Sequence, residues 1–301
     1  MKVAVAGVGD VAKYLLEELP KEGHQVVAIT RSRKDFLEVD QRITDYSVSN
    51  LLGHLQDCDA VICGITAAAL EFTDSHLALL EACKQSPKCK RFIPSAWAGN
   101  YEDVPDQPLF AGNQLEAIRE ALQRQTDVSW TFVCQGWIAD YLVPTAQRHF
   151  SDIGDLWVQN HETKVFTLYG SGSQKVDFTA GRDTARAVAV LLNHDSIDWE
   201  AYTCVSGQQM TWRELWEFVK SREPDYVVVK KSLAQSIKQL MANENEATAT
   251  AAMYEIMGHS EALAFADGKV QRHREKYFKN LKFRTVAEVY DDAIQNRGVV
   301  V

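Results

Sequence analysis

The feature that most constrains this chain is a glycine-containing turn that directly follows a short apolar run at its N-terminus. Residues 2–6 read KVAVA, which is typical of a buried strand, and residues 7–12 read GVGDVA. Apolar residues then recur at helical spacing from Val11 to Leu19, and a second apolar run, QVVAI, occupies 25–29. Strand, glycine turn, helix and strand in this order predict a parallel α/β unit that binds a dinucleotide.

The glycines of this turn predict where the pyrophosphate of the dinucleotide lies. Gly7 permits a tight turn out of the strand, and Gly9 lets a pyrophosphate approach the backbone without meeting a Cβ. Asp10 and Val11 then begin a helix whose N-terminus offers free N–H groups and a partial positive charge. We therefore predict that Gly7, Gly9, Asp10 and Val11 bind the cofactor, against the alternative of a small-residue turn between packed elements.

The end of the second strand predicts which dinucleotide is bound. Proteins that prefer NAD carry an acidic residue here, which holds the ribose 2′-hydroxyl. This chain instead reads TRSRK at 30–34, with no acid before Asp35. Because Arg can grip a phosphate through two parallel hydrogen bonds, we predict NADP(H), with its 2′-phosphate near Thr30, Arg31, Arg33 and Lys34. A solvated basic loop is the alternative.

Composition narrows the class of protein. The chain has 301 residues, of which 46% are hydrophobic and 24% charged, as in ordinary globular proteins. A net charge of −9 argues against nucleic acid or an anionic membrane as the main partner. No run approaches ~20 apolar residues, and the first residues already form a core strand, so neither a membrane span nor a signal peptide is expected. Six scattered cysteines without a C-x-x-C pair predict a reduced, cytoplasmic protein without a metal site.

Alternating strand and helix patterns continue for some 135 residues and become less regular beyond Tyr141. This predicts the α/β class: a Rossmann-type doubly wound parallel sheet with a smaller C-terminal α/β substrate region. We expect an NADP(H)-binding domain over 1–150 and a substrate or lid region over 151–301, unless the two interleave.

Several local patterns carry narrower expectations. We expect strands over 42–46 and 128–133, a hairpin at 170–172, a polar loop or exposed helix start over 243–250, and a helix over 183–193 capped by Asp183 or Thr184. The pattern YVVVK at 226–230 matches the Tyr-x-x-x-Lys of ordinary short-chain dehydrogenases. There the pair lies on a helix, whereas three successive valines favour a strand, so we interpret the match as chance.

Ligands of parallel sheets bind at the carboxyl ends of the strands, so residues that directly follow strands are site candidates. Gly64 and Ile65 follow the strand that starts at Ala60, and Pro94 and Ser95 end the next strand. We predict that these four residues line the cofactor.

Two tryptophans near these strand ends indicate a substrate pocket, because paired indoles can wall an aromatic or polycyclic ligand. The alternative is that they only close the core. The predicted substrate contacts are Ser95, Trp97, Gln135 and Trp137. Asp140 and Tyr141 are the nearest candidates for acid–base chemistry, with a surface or packing role as the alternative.

Together these motifs resemble the isoflavone reductase-like and NmrA-like branch of the atypical short-chain dehydrogenases, especially its fungal members. The resemblance spans roughly residues 2–220. It rests on the glycine turn and on the segments DAVI at 59–62, KRFIPS at 90–95, WTFVCQGW at 130–137, and VDFT at 176–179 with DTAR at 183–186. It implies a Rossmann domain, a small C-terminal substrate domain and NADPH.

Two departures from the family pattern affect the expected chemistry. The family's reductases usually follow Pro-Ser with Glu, whereas here Ala96 follows Ser95. They also carry a Lys at the start of the next helix, but residues 110–116 read FAGNQLE. Asn113, a candidate catalytic residue in that segment, can hydrogen-bond a ribose hydroxyl but cannot exchange a proton near neutral pH.

Three functions therefore stay open. The first is an NADPH-dependent oxidoreductase that acts on a small aromatic or polyketide-like secondary metabolite, with a proton from Tyr141 or water. The second is a non-redox isomerase, cyclase or lyase on the same scaffold. The third is an NmrA-like redox sensor that binds NADP(H) without catalysis. The expected partners are a small-molecule substrate and either a second copy of the chain or a regulatory protein.

Overall fold

The computed structural model describes residues 1–66, 71–105 and 110–301, with side chains from residue 115 onward in the helix that begins at 110. Its strands are β1 Lys2–Ala6, β2 Gln25–Thr30, β3 Asp40–Ile43, β4 Ala60–Cys63, β5 Arg91–Ile93, β6 Ser129–Trp130, β7 Phe132–Cys134, β8 Trp137–Ile138, β9 Gln159–Asn160, β10 Val165–Tyr169, β11 Lys175–Thr179, β12 Tyr202–Cys204, β13 Gln208–Thr211 and β14 Val227–Lys231. Its α-helices are α1 Asp10–Glu18, α2 Val48–Leu55, α3 Phe72–Gln85, α4 Phe110–Gln123, α5 Gly181–Leu192, α6 Trp212–Arg222, α7 Leu233–Ala242, α8 Glu246–Gly258, α9 Asp267–Tyr277 and α10 Val286–Gln295.

Within the described ranges, six strands form one parallel sheet in the order β3-β2-β1-β4-β5-β6. This is the strand order of doubly wound dinucleotide-binding folds, and it confirms the predicted fold class. β1 lies in the middle, where Val5 pairs with Ala28 of β2 and Ile62 of β4. The carboxyl end of β1 therefore lies between the carboxyl ends of β2 and β4.

The strands of this sheet are buried on both faces. Side chains of β1 alternate between two hydrophobic cores, with Val3 and Val5 in one and Ala4 and Ala6 in the other. Helices α1 and α5 pack together, as do α2 with α3 and α3 with α4. Burial on both faces thus explains why the sequences of these strands are continuously hydrophobic instead of alternating.

The predicted strand over 128–133 is divided in the structure. β6 pairs with β5 of the large sheet, whereas β7 pairs with β12 from the second half of the chain. Thr131 lies between them, and its hydroxyl is 2.8 Å from that of Thr203. β8 likewise pairs with β11, so elements on both sides of residue 150 are hydrogen-bonded to each other. The boundary at residue 150 stays a prediction.

Several local expectations were wrong, each because of a long-range contact or a turn. The third strand is Asp40–Ile43 instead of 42–46, and Tyr46 has a positive φ of 62°. The turn at 170–172 joins strands of different sheets and is not a hairpin, because β10 pairs with β14 and β11 with β13. Helix α5 begins at Gly181 with Ala180 as N-cap, so the predicted caps Asp183 and Thr184 both lie inside the first turn, where Asp183 pairs with Arg284.

Other local expectations were confirmed. YVVVK at 226–230 falls mainly in strand β14, as the valines predicted, and not on a helix. The polar segment at 243–250 includes the start of α8, where Asn245 caps the helix. The sequence patterns did not predict helix α9 at Asp267–Tyr277. None of the helices in the described ranges is long and apolar enough to cross a membrane.

Candidate functional site

The glycine turn after β1 is closed against the loop after β4. Gly7 has a φ of 84°, and its N–H donates to the carbonyl of Ile29 at 2.9 Å. A Cβ on Gly7 would lie 2.7 Å from Cγ1 of Ile65, and a Cβ on Gly9 would lie 2.9 Å from the carbonyl oxygen of Gly64. The structure thus brings together four predicted cofactor residues, and two of them have no room for a side chain.

The N-terminus of α1 is free of side-chain caps. Gly9 is its N-cap residue and has no side chain to hydrogen-bond the first turn. The Asp10 carboxylate is held by the ammonium of Lys13 at 3.0 Å and by the N–H of Ser151 at 2.8 Å. Backbone N–H groups at a helix start and a turn with glycine at positions 7 and 9 fit a pyrophosphate, which residues 7–11 would hold.

The basic loop after β2 presents its cations at the surface. Arg31 Nη2 lies 3.3 Å from Glu71 Oε2, and the Arg31 guanidinium lies 5.6 Å from the centre of the Tyr46 ring. Arg33 is exposed and Lys34 half-buried, which leaves both accessible to a ligand. Thr30 is buried, and its hydroxyl donates to the Ser32 carbonyl at 2.8 Å, so it shapes the loop.

A buried histidine joins the loop after β5 to α3. His76 Nδ1 lies 2.7 Å from the Phe72 carbonyl, and His76 Nε2 accepts a hydrogen bond from the Ser95 N–H at 3.0 Å. Burial lowers the pKa of His76 to about 4, so the ring is neutral with its proton on Nδ1. The Ser95 hydroxyl then donates to the Ile65 carbonyl at 2.8 Å. Pro94, also predicted here, accepts from the Ala96 N–H at 3.0 Å.

His76 had no sequence prediction, although a signal exists. It lies on the apolar face of α3, four residues after Phe72 and four before Leu80, where a histidine needs a buried hydrogen-bond partner.

Trp97 and Gln135 are brought to the end of β4. The Trp97 indole N–H donates to the Cys63 carbonyl at 3.2 Å, and the Gln135 amide nitrogen donates to the Trp97 carbonyl at 3.2 Å. Gln135 is fully buried, and its amide oxygen has no hydrogen-bond partner among the described residues. A ligand group that donates a hydrogen bond would satisfy this oxygen.

Trp137 is part of an aromatic cluster instead of an open wall. Its ring stacks on Trp157 with 5.6 Å between centroids and 17° between planes, and Trp212 and Tyr254 meet it edge-on. Trp137 is 8% exposed and Trp157 is 5% exposed. These contacts favour the packing interpretation, and contact between Trp137 and a substrate stays a prediction.

Asp140 fastens two helices together. It is 0% exposed, its Oδ1 accepts from the Tyr14 hydroxyl at 2.6 Å, and its Oδ2 accepts from the Gly181 N–H at 2.7 Å. Burial raises the pKa of Asp140 although both hydrogen bonds lower it. A carboxylate engaged in this way holds α1 to α5, which favours a structural role over the predicted acid–base role.

Tyr141 is also packed. The Arg148 guanidinium lies 4.9 Å from its ring centre, and burial raises the pKa of the Tyr141 hydroxyl. A phenol with a raised pKa is a weaker acid at neutral pH, so these contacts do not favour proton donation. The side chain of Asn113, the third catalytic candidate, lies outside the described residues.

Comparison with known proteins agrees with this geometry. Residues 7–164 match a family model described as NAD(P)H-binding. The chain is 39% identical over 292 residues to the oxidoreductase swnR of Arthroderma benhamiae, covering 96% of each protein. It is 22% identical over 196 residues to an isoflavone reductase homolog of Nicotiana tabacum, covering 60% of each. The chain belongs to the isoflavone reductase-like and NmrA-like family.

Membership of the isoflavone reductase-like family confirms the resemblance inferred from the motifs. NADP(H), the predicted cofactor, is one of the nicotinamide dinucleotides that the matched model covers, and the prediction is confirmed at that level. Leucoanthocyanidin reductase of Vitis vinifera, solved as a binary complex with NADPH, has the same fold. The TM-score is 0.77 at 18% identity, covering 98% of this chain and 100% of that one. The matched NAD(P)H-binding model and the oxidoreductase swnR together support an NADPH-dependent oxidoreductase at the level of reaction class.

Proposed function

We propose that this chain reduces a small aromatic or polyketide-like metabolite by hydride transfer from NADPH. The observation that carries the proposal is the turn at Gly7 and Gly9, where Cβ atoms would collide with Ile65 and Gly64 and no side chain caps the start of α1. Arg31, Arg33 and Lys34 supply the cations for the 2′-phosphate. The family's solved fold neighbour with NADPH supports the same choice of cofactor.

We assign the substrate to the space beside Ser95, Trp97 and Gln135. Ser95 and Trp97 follow β5 of the six-stranded parallel sheet, and Gln135, which follows β7, donates to the Trp97 carbonyl. The buried amide oxygen of Gln135 has no partner among the described residues, so a substrate hydroxyl that reaches it can donate a hydrogen bond. The proton that completes the reduction comes from water in this proposal, because Asp140 is engaged by Tyr14 and Gly181 and Tyr141 has a raised pKa.

The test is to incubate the protein with NADPH carrying deuterium at C4 and a panel of aromatic and polyketide metabolites. We expect equal amounts of NADPH consumed and deuterated product formed, measured by absorbance and mass spectrometry. A product that forms without NADPH consumption would instead select an isomerase, cyclase or lyase. Tight NADPH binding without any product across the panel would contradict the reductase proposal.

A specific observation also favours the redox sensor as a second candidate. Trp137, Trp157 and Trp212 fill the region where a substrate wall was predicted, and the two described acid–base candidates are packed. A sensor must distinguish the oxidised from the reduced cofactor. Different amide hydrogen-exchange patterns with NADP⁺ and NADPH, together with no turnover, would support it, whereas identical patterns would exclude it.

A further inference from the structure

An ion pair crosses the sheet above the cofactor turn. Arg31 follows β2, and Glu71 precedes α3 in the connection after β4, yet Arg31 Nη2 and Glu71 Oε2 are 3.3 Å apart. β1 lies between β2 and β4 in the sheet, so this pair spans the carboxyl end of β1, directly beyond which Gly7 turns. Dinucleotides bind at this end of such sheets.

Both partners of the pair are accessible to a ligand. The Arg31 side chain is 56% exposed and the Glu71 side chain is 53% exposed. The ring of Tyr46 supports the Arg31 guanidinium at 5.6 Å, and the Tyr46 hydroxyl donates to the Ile29 carbonyl at 3.4 Å. Arg31 therefore packs on a fixed ring, while its ion pair with the Glu71 carboxylate is exposed, and such a pair contributes little to stability.

The Glu71 carboxylate is ionised at neutral pH. Its own backbone N–H and the Arg31 guanidinium both lower its pKa. A 2′-phosphate carries about −1.5 to −2 charges at pH 7 by analogy with other phosphate monoesters. A 2′-phosphate that binds Arg31 competes with the Glu71 carboxylate for the guanidinium and is repelled by that carboxylate.

We propose that Glu71 sets the preference between NADPH and NADH, as a counter-charge that holds Arg31 and opposes the 2′-phosphate. This inference rests on the proposed function, in which Arg31 contacts that phosphate. With NADH no phosphate is present, and the Glu71 carboxylate offers the ribose 2′-hydroxyl an acceptor that the end of β2 lacks. The acid that normally follows the second strand is thus supplied from the connection after β4.

The test is Glu71→Gln, with dissociation constants for NADPH and NADH measured by cofactor fluorescence at low salt. We expect NADPH to bind about three- to tenfold more tightly and NADH not to gain. The gain for NADPH should shrink in ~0.5 M salt, because an exposed charge is screened over a few ångströms there. The matched control is Glu81→Gln, because Glu81 lies within α3, which Glu71 precedes, and its 43% exposed side chain also pairs with a cation, Lys84. Glu81 lies roughly 15 Å from Glu71 along the axis of α3. Its substitution should therefore leave the dissociation constants of NADPH and NADH unchanged.

The outcomes separate this inference from the proposed function. Unchanged or weaker NADPH binding by Glu71→Gln would overturn it, as would an equal gain for both cofactors, which would point to a steric barrier. Arg31→Ala separately tests the proposed contact between Arg31 and the 2′-phosphate. If Arg31→Ala weakens NADPH selectively while Glu71→Gln has no effect, only the role of Glu71 fails. If Arg31→Ala weakens both cofactors equally, the 2′-phosphate site itself is elsewhere.

Discussion

Two regions of this molecule are built on different principles. The cofactor edge, formed by the turns after β1, β2 and β4, depends on backbone geometry and on the absence of side chains at Gly7 and Gly9. The aromatic cluster of Trp137, Trp157 and Trp212 depends on large rings that pack face to edge and face to face. Substitutions in the first region should therefore change cofactor binding, whereas substitutions in the second should change stability.

The side chains show the difference: the cofactor edge keeps the family's glycine pattern, whereas Trp137 is packed within a cluster of rings. A dinucleotide requires an uncrowded backbone at a helix start, and the chain retains it. A substrate pocket requires unfilled space, and stacked indoles surround Trp137, one of the four predicted substrate contacts. Each of the following experiments tests whether this division between binding and packing holds.

The largest effect is expected for Trp157→Ala. Truncating a buried tryptophan that stacks on Trp137 leaves a cavity, so the free energy of unfolding should fall by about 3–5 kcal/mol. Urea unfolding measures this, and NADPH affinity of the folded variant should stay unchanged. Ile197→Ala, at a position that is 84% exposed, is the control and should lie within ~0.5 kcal/mol of the parent protein. A small loss of stability would break the comparison and reopen the substrate interpretation.

Gly7→Ala should weaken NADPH binding by about 100-fold, or about 2.7 kcal/mol. The new Cβ would lie 2.7 Å from Cγ1 of Ile65, and the residue would keep a φ of 84° that alanine adopts only with strain. Fluorescence titration with NADPH measures the effect. Gly53→Ala serves as its control, because a Cβ at that position in α2 meets nothing within 4 Å. Affinity within twofold of the parent protein would show that the turn tolerates a side chain.

Arg31→Ala should weaken NADPH by about 10- to 30-fold and NADH by less than about threefold. The physical reason is the loss of charge-assisted hydrogen bonds to a phosphate that only NADPH carries. Titrations of both cofactors at one salt concentration provide the measurement. Equal losses of affinity for the two cofactors would show that Arg31 does not contact the 2′-phosphate.

The smallest effect is expected for Asp140→Asn, at about 1 kcal/mol of unfolding free energy at pH 7. Asparagine can accept only one of the two hydrogen bonds that Tyr14 and Gly181 donate to the carboxylate. Because the folded state raises the pKa of Asp140, the native protein binds its proton more readily than the unfolded chain. The stability contributed by this protonation is present below the ordinary aspartate pKa of about 4 and is lost as pH rises through the folded pKa.

A pH series separates this prediction from a general acid effect. The difference in unfolding free energy between the parent protein and Asp140→Asn should decrease as pH rises from about 4. A difference that increases with pH would mean that the folded carboxylate is stabilised in its charged form. A loss of turnover at unchanged stability would instead restore Asp140 as an acid–base candidate.

The sequence alone predicted the parts of the protein that depend on local spacing. The run KVAVA with GVGDVA specified β1, the glycine turn and α1, and the absence of an acid at 30–34 indicated NADP(H). The carboxyl-end rule also placed Gly64, Ile65 and Ser95 at the same edge, where the structure joins them by close contacts. These inferences succeeded because the strands, turns and helix starts concerned are determined by short segments of the sequence.

Only the tertiary structure decided the roles that depend on distant residues. The sequence predicted Asp140 as an acid–base candidate, and only the fold shows that Tyr14, 126 residues away, and Gly181 donate to its two oxygens. The sequence predicted Trp137 as a pocket wall, and only the fold shows Trp157 stacked on it. The role that we propose for Glu71 likewise rests on its contact with Arg31 across β1. Side-chain roles of this kind depend on which segments the fold brings together, and no local pattern carries that information.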